Sequence, residues 1–207
     1  MKTQISKKVG IVVMFRLNAG GGAPRLIVDL INALNHLGHK VFLLHPFTLN
    51  YQKIEEMYDP INLEKVYTIS KLKRLFCQNS IIGRKLIKKE FLEMAQEVDM
   101  IIDVDGGILQ EYLPDNFDKS KYVVWRFAAM QTESMKSFKN KKGVNRIIKD
   151  FIKKFLRLEQ TKSLNPLSRD YKVYPIDDWT KRKLSEVWEL SPQEPLGCKI
   201  PSSLLSN

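Results

Sequence analysis

Cysteine, histidine and long apolar runs are scarce in this chain, and each scarcity argues against a class of protein. The 207 residues include two cysteines, Cys77 and Cys198, and three histidines. Two distant cysteines do not make the disulfide framework of a small secreted domain, and the histidines have no metal-ligand spacing with them. No apolar run approaches the roughly 20 residues that cross a bilayer. The sequence therefore predicts a reducing, cytoplasmic compartment, with no metal and no other cofactor.

The two common nucleotide-binding motifs are also missing from the glycine-rich segment near the N-terminus. A dinucleotide fingerprint starting at Gly20 requires glycine where Arg25 stands, and one starting at Gly22 requires glycine where Pro24 stands. A phosphate-binding P-loop requires Gly-Lys-Ser/Thr before the helix, and the segment contains none. The glycines therefore belong to neither motif.

These glycines nevertheless lie where a strand passes into a helix. Residues 9–15 (VGIVVMF) form a β-branched apolar run, residues 23–37 are amphipathic, and residues 40–45 form a second apolar strand. Gly20, Gly21 and Gly22 between them let the backbone turn tightly and let a ligand approach the N–H groups of the helix. The pattern favours an anion site, most often for phosphate; alternatively, the glycines only close the turn.

The same alternation continues along the chain and predicts an α/β fold. Its mostly parallel, Rossmann-like sheet carries helices on both faces, within one domain over residues 1–190. Residues 191–207, with three prolines and four serines, are predicted to be a linker-like tail. Further strands are predicted at residues 65–69, 100–104, 121–127 and 171–174, and further helices at residues 81–97 and, after an Asp178 cap, 179–190.

Polar residues follow several of these strands, at the edge where parallel α/β sheets bind ligands. Asp103 and Asp105 could act as a general base or accept hydrogen bonds from hydroxyl groups, although aspartate is also a routine turn former. Arg126 and Glu133 could orient a substrate or pair with each other. His45 could line the site, or it could be a buried histidine with satisfied nitrogens.

Basic residues outnumber acidic ones, and the formal net charge is +11. Ten Lys/Arg stand from Lys136 to Lys162 against two acidic residues, and seven stand from Lys71 to Lys89 against none. Both segments place apolar residues at helical spacing. They could therefore dock on an anionic membrane surface, or they could be ordinary amphipathic helices with solvated basic faces. No nucleic-acid partner is expected, because the segments contain no RNA-binding signature, zinc finger or interleaved aromatics.

Three motifs together resemble the N-terminal domain of family 4 glycosyltransferases, which have the two-domain GT-B fold. They are the loop Gly20-Gly-Gly-Ala-Pro-Arg-Leu26, the turn Gly38-His-Lys-Val41 and the helix start Asp178-Trp-Thr-Lys-Arg182. The third motif is similar to the Asn-Ser-x-Trp-Thr helix start of lipid-linked-oligosaccharide mannosyltransferases and their archaeal relatives. The resemblance covers about residues 8–190, although Ile176-Asp177 replaces the Asn-Ser of the third motif, and Asp105 stands where many members have histidine.

This resemblance implies sugar transfer from a nucleotide-sugar donor to a polyprenyl-linked acceptor. In the family a glycine-rich loop approaches the donor diphosphate, and Gly20, Gly21 and Gly22 are the matching residues. From their positions after the strands, we predict that His45, Arg126 and Glu133 bind the acceptor and that Asp105 and Asp103 are catalytic. The family's C-terminal donor domain is expected to be a separate polypeptide or to have been lost by truncation, so that the chain is inactive alone. The expected location is the cytoplasm, where the basic segments could hold the chain at the inner membrane face. The alternatives are a noncatalytic membrane-binding module and a nucleic-acid-binding protein.

Overall fold

The computed structural model describes residues 6–70, 80–104, 107, 109–126 and 172–176, together with residues 178, 181, 182, 185, 192 and 193. The strands are β1 (Lys8–Val12), β2 (Lys40–Leu44), β3 (Lys65–Tyr67), β4 (Met100–Asp103), β5 (Tyr122–Arg126) and β6 (Lys172–Pro175). The helices with defined bounds are α1 (Gly22–His36), α2 (Tyr51–Met57) and α3 (Ser80–Glu97), and short 3-10 turns lie at Leu17–Ala19, Gln110–Tyr112 and Lys119–Lys121.

The six strands form one sheet in the order β3-β2-β1-β4-β5-β6, and every neighbouring pair is parallel. The register aligns the carboxyl ends of the central strands, because Val12 of β1 lies opposite Leu44 of β2 and Asp103 of β4. A parallel sheet is buried on both faces, and this accounts for the near-continuous apolar sequences of the strands. The predicted Rossmann-like α/β fold is confirmed.

The side chains of β1 alternate between the two faces of the sheet and pack in two different apolar clusters. Val9 and Ile11 pack in the cluster that contains the buried residues of α1, and Val12 packs in the cluster that contains Phe91 of α3. A Cβ on Gly10 would lie 3.1 Å from the Cε of Met94, so that β1 and α3 approach closely at this glycine. The predicted helices at residues 23–37 and 81–97 thus cover the two faces.

Most strands end one to three residues earlier than the apolar runs predict. β1 ends at Val12 instead of residue 15, and β3 ends at Tyr67 instead of residue 69. Apolar character persists beyond the ladder because the following residues, such as Val13 and Ile69, are still buried. Asp178, predicted as a cap, is itself helical, as are Lys181, Arg182 and Ser185.

None of the described helices is long and apolar enough to cross a membrane. The backbone N–H of Gln193 donates to the carbonyl of Val173 in β6 at 2.9 Å. At least this point of the predicted tail therefore contacts the sheet.

Candidate functional site

The loop that contains Gly20, Gly21 and Gly22, called the glycine loop below, follows β1. At β1 the strand order of the sheet reverses its direction. The chain passes outward from β1 to β2 and β3 on one side, and β4 lies on the other side of β1. Loops that follow β1 and β4 therefore diverge at this point, and ligands of open α/β sheets bind in the resulting crevice. Gly20, Gly21 and Gly22 after β1, and Asp103 at the end of β4, thus lie at the edge where binding is expected.

Gly20 and Gly21 adopt backbone conformations that other residues rarely adopt. Their φ angles are +76° and +110°, in the region that favours glycine. Gly21 is the N-cap residue of α1, and an added Cβ at Gly21 or at Gly22 would meet nothing within 4 Å. The loop therefore presents open backbone to solvent, as close approach of a ligand to the main chain requires.

The first turn of α1 has backbone donors, and its cap residue, a glycine, has no side chain to accept from them. Gly21 makes no side-chain cap hydrogen bond, and the first turn contains no acidic residue. The backbone N–H of Arg25 donates to the carbonyl of Gly21 at 3.3 Å, whereas the N–H groups of Gly22 and Ala23 precede this first intrahelical bond. These two donors and the helix dipole favour a negative charge at this end.

Two arginines add positive charge near the same edge. Arg25 lies in the first turn of α1 with its side chain 66% exposed, and Asp29 is 3.8 Å away in a loose i,i+4 pair. Arg16 follows β1, and its guanidinium carbon lies 5.3 Å from the centre of the Phe47 ring. Arg25 therefore adds positive charge to the first turn of α1, and Arg16 adds positive charge to the segment between β1 and the glycines.

Helix α2 holds the glycine loop from one side. The hydroxyl of Tyr58, the residue after α2, donates to the carbonyl of Gly21 at 3.2 Å, and the amide Nδ2 of Asn18 donates to the carbonyl of Thr48 at 3.3 Å. The helix begins because the Oδ1 of Asn50 accepts from the backbone N–H of Lys53 at 3.1 Å. α2 was not predicted, and Asn50 followed by Ile54 is the sequence signal that marks it.

His45 is fully buried directly after β2. Its Nδ1 lies 2.8 Å from the carbonyl oxygen of Phe47, and its Nε2 lies 3.0 Å from the carbonyl oxygen of Phe15. Both ring nitrogens thus contact backbone carbonyls of the two loops. This arrangement corresponds to the alternative of a buried, satisfied histidine, and a role in acceptor binding stays a prediction.

Asp103 ends β4 and is also fully buried. It accepts a hydrogen bond from the hydroxyl of Tyr122, which begins β5. Val12 and Val124 are its register partners on the neighbouring strands. The carboxylate therefore bonds across the β4–β5 pair, and its catalytic role stays a prediction.

The remaining predicted site residues lie partly or wholly outside the described part of the chain. Arg126 ends β5 opposite Pro175, but its side chain lies outside the described part of the chain. Asp105, Glu133 and the basic segment from Lys136 to Lys162 lie outside the described residues altogether. Of the segment from Lys71 to Lys89, residues 80–89 lie in α3, where Lys85, Lys88 and Lys89 are exposed.

Within the described residues, no three His, Cys, Asp or Glu side chains are grouped so as to hold a metal ion. No model of a known protein family matches the chain, and no curated protein matches it at a significant level. The resemblance to family 4 glycosyltransferases therefore stays a prediction that depends on the motifs alone.

Proposed function

We propose that this chain is the acceptor-side half of a glycosyltransferase. It transfers a sugar from a nucleotide-sugar donor to a lipid-linked acceptor, together with a donor-binding domain outside these 207 residues. The observation that carries the proposal is the first turn of α1, whose cap residue is Gly21 and makes no side-chain hydrogen bond, and which follows two glycines of positive φ. A helix N-terminus of this kind favours a phosphate group, and the diphosphate of a nucleotide sugar supplies one.

The site residues have distinct roles in this proposal. The N–H groups of Gly22 and Ala23 donate hydrogen bonds to a phosphate oxygen, and Arg25 adds positive charge in the same turn. Asp105 is the acceptor-side base, whereas the buried Asp103 bonds to Tyr122 and orders the end of β4. Arg126 and Glu133 contact the acceptor, and the two basic segments bind anionic headgroups near the lipid-linked substrate.

The direct test is sugar transfer in anionic liposomes that contain polyprenyl phosphate. A panel of nucleotide sugars is offered to the chain alone and to the chain mixed with a candidate donor domain. Transfer in the mixture alone supports the proposal and identifies the sugar. Liposome binding without transfer in any mixture favours instead the noncatalytic membrane-binding module, and steeply salt-dependent binding to DNA or RNA favours the third alternative.

Gly22→Asp tests the anion site without straining the backbone. Gly22 does not have a positive φ, and its Cβ would enter open space, whereas any substitution at Gly21 would be strained. A carboxylate at the start of α1 interacts favourably with the helix dipole. Its repulsion of a bound phosphate costs about 1 kcal/mol or more of binding free energy. We expect affinity for a nucleoside diphosphate, measured by calorimetry, to fall about fivefold or more.

Gly22→Asn is the matched control, because it has the same shape without the charge. It should retain most of the affinity, and neither variant should lower the free energy of unfolding by more than about 0.5 kcal/mol. Equal affinities for Gly22→Asp and Gly22→Asn would remove the anion site from the proposal.

A further inference from the structure

We infer that His39 is a pH-sensitive contact. Its neutral ring holds the start of β1 against the turn between α1 and β2, and protonation of the ring releases that start. The turn consists of Leu37, Gly38 and His39, and it is called the α1–β2 turn below. It lies at the amino ends of the strands, at the opposite edge of the sheet from the glycine loop. The inference therefore goes beyond the glycosyltransferase proposal and depends on no ligand.

The α1–β2 turn holds His39 in a fixed position. The backbone N–H groups of its three residues donate to carbonyls in the last turn of α1, at 2.9 to 3.1 Å. Gly38 has a φ of +78°, which favours glycine and is typical of a residue that ends a helix. His39 follows with 3% of its surface exposed. Its ring is therefore buried where α1 passes into β2.

Three hydrogen bonds join this corner of the molecule to the residues that precede β1. The backbone N–H of Lys7 donates to the Nδ1 of His39 at 3.2 Å. The N–H of Lys40 donates to the carbonyl of Lys7 at 2.9 Å, and the hydroxyl of Ser6 donates to the carbonyl of Gly38 at 2.7 Å. Of these three acceptors, the imidazole is the one that can take up a proton near neutral pH.

The donor in the first of these bonds decides the protonation of the ring. A backbone N–H can only donate, so the Nδ1 that accepts from Lys7 has no proton, and the neutral ring carries its proton on Nε2. That Nε2 is buried and meets no acceptor among the residues that the structure describes. A protonated ring would therefore direct one N–H at the N–H of Lys7 and bury the other without a partner.

The charges around the α1–β2 turn do not compensate a buried cation. The charged and titratable residues of the surrounding elements are Lys7 and Lys8 at the start of β1, His36 at the end of α1, Lys40 of β2, Glu64 before β3 and Asp99 before β4. The Glu64 carboxylate pairs with Lys40 at 3.2 Å, and that of Asp99 accepts from the backbone N–H of Lys8 at 2.8 Å. The C-terminal end of α1 favours a cation, but its last carbonyls already accept from the turn.

This environment sets the direction of the pH response. Burial, and then the positive charge of Lys7, lower the pKa of His39 below its ordinary value of 6.5. The contact therefore stabilises the folded chain above about pH 6.5, and this stabilisation is lost as the pH falls from there through the lowered pKa. A protonated ring gains hydration by leaving its buried position. That movement breaks the bond from the Lys7 N–H and frees the start of β1.

The test is amide hydrogen exchange of the labelled full chain, followed by NMR from about pH 7.5 to about pH 5. We expect the protection of the Lys7 N–H to fall by up to about tenfold per pH unit below the ordinary histidine pKa. The N–H of Val13, which donates to the Leu44 carbonyl at 3.0 Å beyond the other end of β1, should keep its protection. Constant protection at Lys7, or an equal fall at Val13, would overturn the inference.

Three variants test the cause of the release. His39→Asn offers an amide oxygen near the position of Nδ1 that accepts without titrating, so the pH dependence at Lys7 should vanish. Lys7→Gln keeps the backbone N–H but removes the charge that lowers the pKa of His39, so the release should begin at a higher pH. His36→Gln is the matched control, because it removes an exposed histidine from the end of α1 and should leave the response unchanged.

A response that persists in His39→Asn, or that disappears in His36→Gln, would contradict the assignment to His39. If His39→Asn does not fold, the titration of the His39 ring in the natural chain decides instead. Protonation of that ring must coincide with the loss of protection at Lys7, and a ring that is protonated while Lys7 stays protected would overturn the inference. None of these outcomes depends on diphosphate binding, so the anion site and the His39 contact stand or fall separately.

Discussion

Gly10 lets α3 pack directly against the central strand. A methyl group at this position would lie 3.1 Å from the Cε and Sδ of Met94 and 3.3 Å from a methyl of Val98. Methionine is flexible enough to yield in part, and alanine also relieves the entropy that glycine loses in a strand. Gly10→Ala should therefore lower the free energy of unfolding by about 1 kcal/mol, measured by urea denaturation.

A double-mutant cycle identifies the cause of this loss. Met94→Ala leaves space for the added methyl, so that Gly10→Ala should be neutral or stabilising in that background. Equal losses in both backgrounds would mean that Met94 is not the residue that resists the methyl group.

At the level of elements, α2 is short and depends on its cap. Asn50 bonds to the backbone N–H of Lys53, and one residue of the helix, Ile54, is buried. Asn50→Ala should reduce the free energy of unfolding by about 1 kcal/mol and loosen the support that Tyr58 gives Gly21. Urea denaturation and calorimetry with a nucleoside diphosphate measure the two effects.

Gln52→Ala is the control on the same helix. Its side chain bonds to Glu56 at 3.0 Å on the exposed face, and alanine favours the helix. Stability and affinity should both be retained in this variant. An equal loss in the two variants would assign the effect to helix content and not to the cap.

Stability in acid is a property of the whole molecule, because the carboxylate of Glu97 connects helix α3 to β3, the strand at the edge of the sheet. Glu97 of α3 accepts from the Lys65 Nζ at 2.8 Å and from the Tyr67 hydroxyl. These bonds, that from Lys65 first, lower the pKa of Glu97 from its ordinary value of 4.5. The stabilisation is therefore present above about pH 4.5 and is lost as the pH falls through the lowered pKa.

Glu97→Gln should be less stable than the natural chain at pH 7, and the difference should shrink toward pH 3. Glu93→Gln removes the same charge from an exposed pair with Lys89 and should have a smaller effect at pH 7. Urea denaturation across this pH range measures both. A difference for Glu97→Gln that does not change with pH would contradict the linkage.

The sequence predicts the periodic elements of this molecule better than its contacts. The amphipathic pattern of α1 placed the helix to within one residue, whereas α2, with one buried residue in seven, has no apolar stripe to detect. His45 and Asp103 could be assigned to strand ends from their positions. Their partners, the Phe15 carbonyl and the Tyr122 hydroxyl, could not, because those contacts depend on how loops and strands meet in space.

The position of β1 between β2 and β4 has a consequence for how the chain folds while it is being synthesised. The first three strands and α1 can assemble as soon as the N-terminal third has been made, but β1 then has one unpaired side. Its second neighbour appears much later, since Lys8 and Asp99, which bond at the start of β1, are 91 residues apart. During that interval an apolar edge is open to pairing with other chains, and the nascent protein is most exposed to aggregation until β4 emerges.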